Sequence, residues 1–341
     1  MIKSAIIGVS GPRARGLAEA YRYINGSQLV AVSSRQKEQL EVFGAAFNIS
    51  ATYTDYQDML QQEKPDLIHI NTPPSVRLNI FKAAHSAGVS GILVEKPLAI
   101  QGEDFRAIQT FCQATRMKIA VNHQLHFHPR RKILQERVNN GEIGELRFIE
   151  GSAGMNMAYQ GTHVLEAIRA FSQGAIAVDV LGKVCGSQGL LENVKHHYAP
   201  DQCTGIINYN NGLSALLRCG SHAPRVIDGP ANHHKRIAVY GDKGFIQWTM
   251  HGWESRVGNN YQSGTHIYAE EDILGQAAMT EAMIDWIIGD SLSHPLNIDL
   301  AITDFSILLA FYQSAVEHKV IDLPFVPSPD LLGCLRAMLI L

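Results

Sequence analysis

The sequence has 341 residues, of which 46% are hydrophobic and 18% charged, with a formal net charge of −3. This composition is typical of a globular protein of about two domains with a sizeable apolar core. The small net charge gives no indication that nucleic acid or an anionic membrane surface is a partner.

The apolar segments and the cysteines indicate where in the cell the protein is expected. No run of about 18 apolar residues indicates a transmembrane helix, and the apolar stretch at the N-terminus is too short for a signal peptide. The five cysteines form no CxxC pair. Together these features favour reduced thiols, and we expect a cytoplasmic protein.

Strand-like and helix-like segments alternate through the first 122 residues. A helix with a 3.6-residue apolar period is expected at Leu17–Ile24, and others lie between the later strands. Because the strands are continuously apolar, they predict a doubly wound parallel sheet of the Rossmann type over residues 1–122. The predicted strands are Ile2–Val9, Gln28–Val32, Leu67–Ile70, Gly91–Val94 and Lys118–Val121.

The pattern changes after Asn122. A helix is predicted over Arg130–Asn140 and another opens near Thr162; longer strands joined by turns such as Asn210-Asn211-Gly212 follow. We expect an open-faced, mostly antiparallel sheet with helices on one face, over residues 123–341. Its exposed face predicts an oligomerisation domain, and therefore a homodimer or homotetramer.

A glycine-rich loop, Gly8–Gly16, lies between the first strand and first helix. Backbone N–H groups in such a loop, with the helix N-terminus, can hold a pyrophosphate. Ser10 and Arg13 stand where GxGxxG has glycines, so an ordinary strand–helix turn is the alternative. The predicted cofactor contacts here are Gly8, Ser10, Gly11, Pro12 and Arg13.

The end of the second predicted strand bears on the choice of dinucleotide. An acidic residue at this place would bind the ribose hydroxyls of NAD, but the chain has Ser34 and Arg35. A hydroxyl and a guanidinium suit a 2′-phosphate, which favours NADP over NAD as cofactor. A solvated strand end is the alternative interpretation.

Three further segments carry a family resemblance: Asn71-Thr72-Pro73-Pro74, Val94-Glu95-Lys96-Pro97-Leu98-Ala99, and the histidine-rich stretch 121–129. With Gly141–Leu146, they resemble the glucose–fructose oxidoreductase / inositol dehydrogenase (Gfo/Idh/MocA) family. The resemblance implies an NAD(P)-dependent oxidoreductase in which residues 123–341 form the substrate-binding domain. It further implies that Thr72, Pro73 and Pro74 line the nucleotide, and that Glu95 and Lys96 reach the nicotinamide and the substrate. Asn122 is expected at the cofactor because it follows a predicted parallel strand, where such sheets place ligands.

The resemblance also implies the catalytic groups. In this family a lysine at the position of Lys96 works with an aspartate and a histidine; His163 matches the histidine, but Tyr159 occupies the aspartate position. Lys96 can exchange a proton with the substrate oxygen if burial and a nearby cation lower its pKa. His163 is expected near a helix start, where the dipole disfavours imidazolium. Tyr159 either bonds the substrate, orients His163 or only packs.

Three other features allow more than one interpretation. His123, His126 and His128 are expected in an extended segment that points them to different faces, which favours a pocket role over a metal site, and no metal is predicted. Asp201 is either a turn former or a substrate contact. The basic run His233–Arg236 is interpreted as a solvated strand entry.

The leading hypothesis is an NAD(P)-dependent dehydrogenase or reductase acting on a CH–OH group of a sugar, polyol or cyclitol, with Lys96 as proton donor or acceptor. One alternative is a glycosidase that retains its NAD through oxidation, elimination and reduction. Another is an NADP-sensing protein without turnover. The expected partner is a small sugar-like substrate, with neither nucleic acid nor membrane involved.

Overall fold

The computed structural model describes residues 1–191, 197–226, 229–289 and 292–340. Its contacts divide the chain into two compact units. The first unit holds Met1–Ala99, Asp104–Phe127 and Ala269–Ala301. The second holds His128–Tyr268, the short stretch Ile100–Glu103 and the chain from Ile302 onward.

The first unit is built on a six-stranded sheet in which every neighbouring pair is parallel. The strand order is β3-β2-β1-β4-β5-β6, so the connections reverse direction between β1 and β4. Ligands of doubly wound sheets bind at the carboxyl ends of the strands beside such a reversal. The predicted Rossmann fold is therefore confirmed. Its strands are β1 (Ile2–Ile7), β2 (Ser27–Ser33), β3 (Ala51–Tyr53), β4 (Leu67–Ile70), β5 (Gly91–Glu95) and β6 (Lys118–Asn122).

Five helices connect these strands. The first differs from the helix predicted at Leu17–Ile24, because it begins at Pro12, whose fixed φ suits the first helical position, and ends at Ala20. The turn Tyr21–Tyr23 that follows is a 3₁₀ helix. The helices are α1 (Pro12–Ala20), α2 (Lys37–Phe47), α3 (Tyr56–Glu63), α4 (Arg77–Ser86) and α5 (Gly102–Thr115).

The second unit contains a nine-stranded mixed sheet of order β14-β13-β12-β11-β7-β10-β9-β8-β15. All its pairs are antiparallel except β7 with β10, which confirms the predicted fold class. The strands are β7 (Leu146–Ala153), β8 (Ala177–Cys185), β9 (Gln202–Tyr209), β10 (Ser214–Cys219), β11 (Lys235–Gly241), β12 (Gly244–Thr249), β13 (Gly252–Val257), β14 (Asn260–Thr265) and β15 (Ile321–Asp322).

Helices cover one face of this sheet. They include α6 (Pro129–Asn139) and α7 (Thr162–Phe171). The close approach of α7 requires a glycine, because a Cβ on Gly151 would lie 2.3 Å from a Val164 methyl carbon. The chain ends with α8 (Tyr268–Ile288), α9 (Ile298–Glu317) and α10 (Leu331–Leu339).

Helix α8 returns the chain to the first unit. Its side chains Ala277, Met279, Met283 and Ile284 are buried in one cluster with strand residues such as Leu93. The backbone N–H of Val121 donates to Leu296 O at 3.0 Å, beside an isolated bridge between Ala120 and Asn297. The sequence analysis places all of residues 123–341 in one domain. The structure instead groups Ala269–Ala301 with the dinucleotide-type sheet.

One helix among the described residues, α9, is long and apolar enough to cross a membrane by length and composition alone. Buried residues make up 67% of its most apolar window. Core helices of globular proteins pass the same test, so this feature is weak evidence for a membrane span.

Candidate functional site

The loop after β1 lies close to the residues that follow β4. Gly8 has φ +93°, and a Cβ there would lie 3.1 Å from Asn71 C and 3.3 Å from Thr72 Cγ2. Gly11 caps α1 in an extended conformation, and Pro12 follows at the first helical position. The loop thus presents a helix N-terminus at the carboxyl edge of the sheet, an arrangement that binds phosphate groups.

Buried polar atoms beside this loop have no hydrogen-bond partner among the described residues. They are Asn71 Nδ2, Thr72 Oγ1 and Gln276 Nε2. A buried donor without an acceptor costs free energy, on the order of 1–3 kcal/mol. A dinucleotide carries ribose, phosphate and carboxamide oxygens that can accept these hydrogen bonds, so these residues fit such a cofactor.

The end of β2 brings two predicted residues together. Ser34 Oγ lies 3.4 Å from Ser10 Oγ and accepts a hydrogen bond from Gln36 N at 3.4 Å. The adjacent Arg35 is exposed and forms no ion pair within the part of the chain that the structure describes. Two hydroxyls and an available guanidinium therefore lie at the strand end where the ribose of a bound dinucleotide would be recognised.

Arg13 is held by carboxylates. Its Nη1 lies 3.2 Å from Asp272 Oδ2, and its Nε lies 3.7 Å from Glu95 Oε1. Asp272 also accepts a hydrogen bond from Gln124 Nε2 at 2.7 Å. Arg13, at the start of α1, therefore pairs with carboxylates at the end of β5 and near the N-terminal end of α8.

Asn122 and Glu95 lie side by side because they end adjacent parallel strands in register. Asn122 Nδ2 donates to Glu95 Oε1 at 2.7 Å and to Gln276 Oε1 at 3.2 Å. Asn122 Oδ1 accepts from Gln124 N at 3.2 Å, which fixes the orientation of the amide. Sequence analysis missed Gln276 and Asp272, because no local motif marks them and they lie about 150 residues away in the chain.

Lys96 follows β5 directly and is half-buried. Burial lowers the pKa of its amine, Glu95 raises it, and Arg13 and Arg77 lower it; together they give a pKa of about 8. Thr72, Pro73 and Pro74 follow β4, the neighbouring strand. Arg77 joins the two loops: it donates to Thr72 O and to Pro97 O.

The second unit holds the other predicted catalytic residues, and His163 is the second residue of α7, near a helix start as expected. A π-helical turn, Met157–Gly161, runs into α7 without a break, and the Asn156 side chain caps it by accepting from Tyr159 N at 3.0 Å. This π-helical turn precedes the start of α7, and His163 is buried at 4% exposure. The dipole of the helix start acts on the turn that carries Tyr159.

Tyr159 stacks on a residue that the sequence analysis did not consider. Its ring lies 4.2 Å from that of His197, with an interplanar angle of 22°. The Asn156 side chain fixes the same segment by donating to His197 O at 3.0 Å. The ring of Tyr159 is thus fixed in position. Both a packing role and a substrate-binding role require this.

The histidine-rich stretch is not extended. Gln124–Phe127 forms a 3₁₀ turn, with His126 N donating to His123 O at 2.8 Å. Within the second unit, the His128 ring lies 5.0 Å from that of Trp248 and 4.6 Å from that of His266. Burial, with nearby positive groups, lowers the pKa of His128 to about 3.

Two further expectations are resolved by hydrogen bonds. Asp201 accepts from Gln188 N at 3.0 Å and from Gly189 N at 2.8 Å, as a turn former does. The interpretation of His233–Arg236 as a solvated run is wrong for its last three residues, which are buried. Arg236 pairs with Glu150 at 2.9 Å across the sheet, so its charge is compensated without solvent.

Comparisons with known proteins agree with this geometry. Residues 2–123 match an oxidoreductase family described as an NAD-binding Rossmann fold. A D-apiose dehydrogenase from Paraburkholderia graminis is 30% identical over 142 residues, 42% of this chain and 37% of the relative. A 1-carboxy-3-chloro-3,4-dihydroxycyclo hexa-1,5-diene dehydrogenase from Comamonas testosteroni is 26% identical over 216 residues, 58% of this chain and 52% of the relative.

The matches thus span about a third to a half of the length of these curated relatives. A solved oxidoreductase from Agrobacterium radiobacter, in complex with NAD+, L-tartaric acid and magnesium, has a TM-score of 0.79. It covers 99% of both chains at 17% identity, which establishes a common fold.

Proposed function

The chain belongs to the Gfo/Idh/MocA oxidoreductase family, and we propose that it transfers a hydride between a nicotinamide dinucleotide and a secondary alcohol or ketone of a sugar, polyol or cyclitol. The observation that carries the proposal is Lys96: an amine with a lowered pKa at the carboxyl end of a Rossmann strand. The similarity to a D-apiose dehydrogenase supports the sugar-like substrate class.

The proton chemistry follows from the pKa of Lys96. The bound nicotinamide supplies the hydride acceptor or donor. With a pKa of about 8, roughly a quarter of the Lys96 amines are neutral at pH 7.5 and can take the proton of the substrate hydroxyl. In the reverse direction the ammonium polarises the carbonyl and returns the proton to its oxygen.

We extend the proposal to His163 and Tyr159 of the second unit. An imidazole at His163 can hydrogen-bond a substrate hydroxyl, and the phenol of Tyr159 can donate or accept one hydrogen bond. Since Tyr159 stands where the family has an aspartate, it cannot contribute a carboxylate charge. Proton transfer in this chain would therefore depend more on Lys96 than on a His–Asp pair.

The cofactor proposal is NADP in preference to NAD. A 2′-phosphate needs cationic and hydroxyl donors, which Arg35, Ser34 and Ser10 supply at the end of β2. The orphaned polar atoms Asn71 Nδ2 and Thr72 Oγ1 are available to either dinucleotide.

The test is Lys96→Met assayed against a panel of sugars, polyols and cyclitols. We expect nucleotide affinity to persist and turnover to fall at least about 100-fold, the scale of general acid–base catalysis. Unchanged turnover would remove Lys96 from this role. Bond cleavage by the wild type without net NADPH formation would favour a cofactor-retaining glycosidase, and nucleotide binding without turnover on any substrate would favour a sensor.

A further inference from the structure

Arg77 is a fully enclosed cation in the first unit, with only 2% of its surface exposed. Its guanidinium donates to main-chain carbonyls: Nε and Nη2 to Thr72 O at 3.1 and 2.8 Å, and Nη1 to Pro97 O. No carboxylate forms an ion pair with it among the described residues. Because burying a charge without an ionic partner is costly, packing alone would favour a neutral side chain here.

We infer that Arg77 is a positioning residue for Lys96, which it serves by tying the loop after β4 to the loop after β5 and by fixing a positive charge beside the amine. The inference rests on the proposed role of Lys96 in proton transfer. Arg77 is not among the predicted site residues; it stands just after the Thr72-Pro73-Pro74 segment, at a position where the family commonly has a histidine.

Prolines remove three of the backbone donors that could join the two loops. Strands β4 and β5 are parallel neighbours whose ladder ends at Ile70 and Val94. Beyond it, Pro73, Pro74 and Pro97 have no N–H to donate between the loops. The planar fork of Arg77 reaches both loops at once, which a lysine ammonium on a flexible stem does less well. Lys96, directly before Pro97, is thereby held in place.

The charge of Arg77 acts in the same direction as burial. The charged groups that act on Lys96 are Glu95, which raises its pKa, and Arg13 and Arg77, which lower it. Arg13 is itself paired with Glu95 and Asp272. Arg77 forms no salt bridge within the described residues; burial lowers its own pKa to about 10, and the charge of Glu95 opposes that shift. By lowering the pKa of Lys96, Arg77 favours the neutral amine that accepts a proton.

The experiment titrates Lys96 directly in Arg77→Gln, in Arg77→Lys and in the control Lys82→Gln, an exposed cation on the same helix. Acylation of Lys96 by trace acetic anhydride is measured against pH by peptide mass spectrometry, on protein whose melting temperature shows it to be folded. We expect Arg77→Gln to raise the titration midpoint by about 0.5–1 pH unit. Arg77→Lys should raise it by less than half as much, and Lys82→Gln should leave it unchanged.

A purely structural arginine would change the melting temperature and leave the midpoint of the folded protein where it was, and that result would overturn the inference. If Arg77→Gln does not fold, the Arg77→Lys variant is used to test the positioning role. Arg77→Lys lacks the planar guanidinium that bonds both loops, so we expect its affinity for NADP to fall about 5- to 10-fold. Unchanged affinity would overturn the positioning role. Because labelling needs no turnover, a failure of the proposed hydride transfer would be seen separately, in the Lys96→Met assay.

Discussion

A lysine can accept a proton near neutral pH only where its surroundings disfavour the ammonium form. Lys96 meets this condition through burial and two nearby arginines, against the opposing charge of Glu95. The pKa of about 8 that results is more than two units below that of a free lysine. At the scale of the single residue, the enzyme's response to pH should therefore report this amine.

We predict that kcat/KM for alcohol oxidation rises with pH through a midpoint near 8. The sign follows from the pKa: below it Lys96 is an ammonium and cannot accept the hydroxyl proton, and above it the neutral amine can. For ketone reduction the same group must be protonated, so kcat/KM should fall over the same range. Steady-state assays from pH 6 to 10 check both limbs, and limbs running in the same direction would contradict the assignment.

Arg35 carries a second prediction at this scale. If its guanidinium binds the 2′-phosphate, Arg35→Ala should raise the Kd for NADP about 10- to 100-fold, the value of a hydrogen bond to a charged group. The Kd for NAD should stay the same. Arg22→Ala removes an exposed arginine from the same unit and serves as the control. Equal losses for NADP and NAD in titration calorimetry would show that Arg35 does not distinguish the two dinucleotides.

What could be predicted at the residue scale depended on short motifs. Glu95 and Lys96 are adjacent in the chain and form one motif. The loop after β1 is recognisable in the sequence by its glycines. Gln276 and Asp272 bond to Asn122, Gln124 and Arg13 across 148 to 259 residues. Such pairings are set by how the chain folds back, and no local spacing signals them.

At the scale of elements, segments with one clear apolar face were predictable. A strand is predicted to follow the turn Asn210-Asn211-Gly212, and Ser214–Cys219 forms one in which every second residue is buried. Strand β14 was not predicted, since five of its six residues are exposed and it has no apolar face. The apolar period of a helix such as α8 does not indicate which core it joins.

Helices α6 and α7 are joined by a buried ion pair that offers a test of packing. Arg131 donates to Glu166 through Nη1 at 2.8 Å and Nη2 at 3.1 Å, and both residues are almost fully buried. Glu166→Ala should lower the free energy of unfolding by about 3–5 kcal/mol, because it leaves an uncompensated buried charge. Replacing both, as Arg131→Met with Glu166→Leu, should recover most of this loss.

Chemical denaturation measures these differences. The matched control is the exposed pair of Lys37 and Glu41 on α2, at 3.9 Å. Breaking it with Glu41→Ala should cost no more than about 0.5 kcal/mol. A similar, small cost for Glu166→Ala would mean that the buried pair does not hold α6 against α7.

At the scale of the whole molecule, the face of the nine-stranded sheet opposite α7 and α9 carries apolar side chains. Leu181, Ile206 and Leu216 lie next to one another in register across β8, β9 and β10. In the neighbouring row, Phe148 and Tyr240 rings lie 6.3 Å apart. Leu181 is 44% and Ile206 39% exposed. An apolar patch of this kind is typical of an interface, and it supports our proposal of a homodimer or homotetramer.

The prediction is that Ile206→Glu converts the oligomer to a monomer. In a two-fold interface each substitution introduces two buried carboxylates without partners, which should weaken association at least about 100-fold. Ile133→Glu, which changes a 45% exposed residue of α6, is the control for a new surface charge. Light scattering after size exclusion gives the mass. A wild-type monomer at micromolar concentration, or an Ile206→Glu protein that keeps the wild-type mass, would place any interface elsewhere than on this sheet.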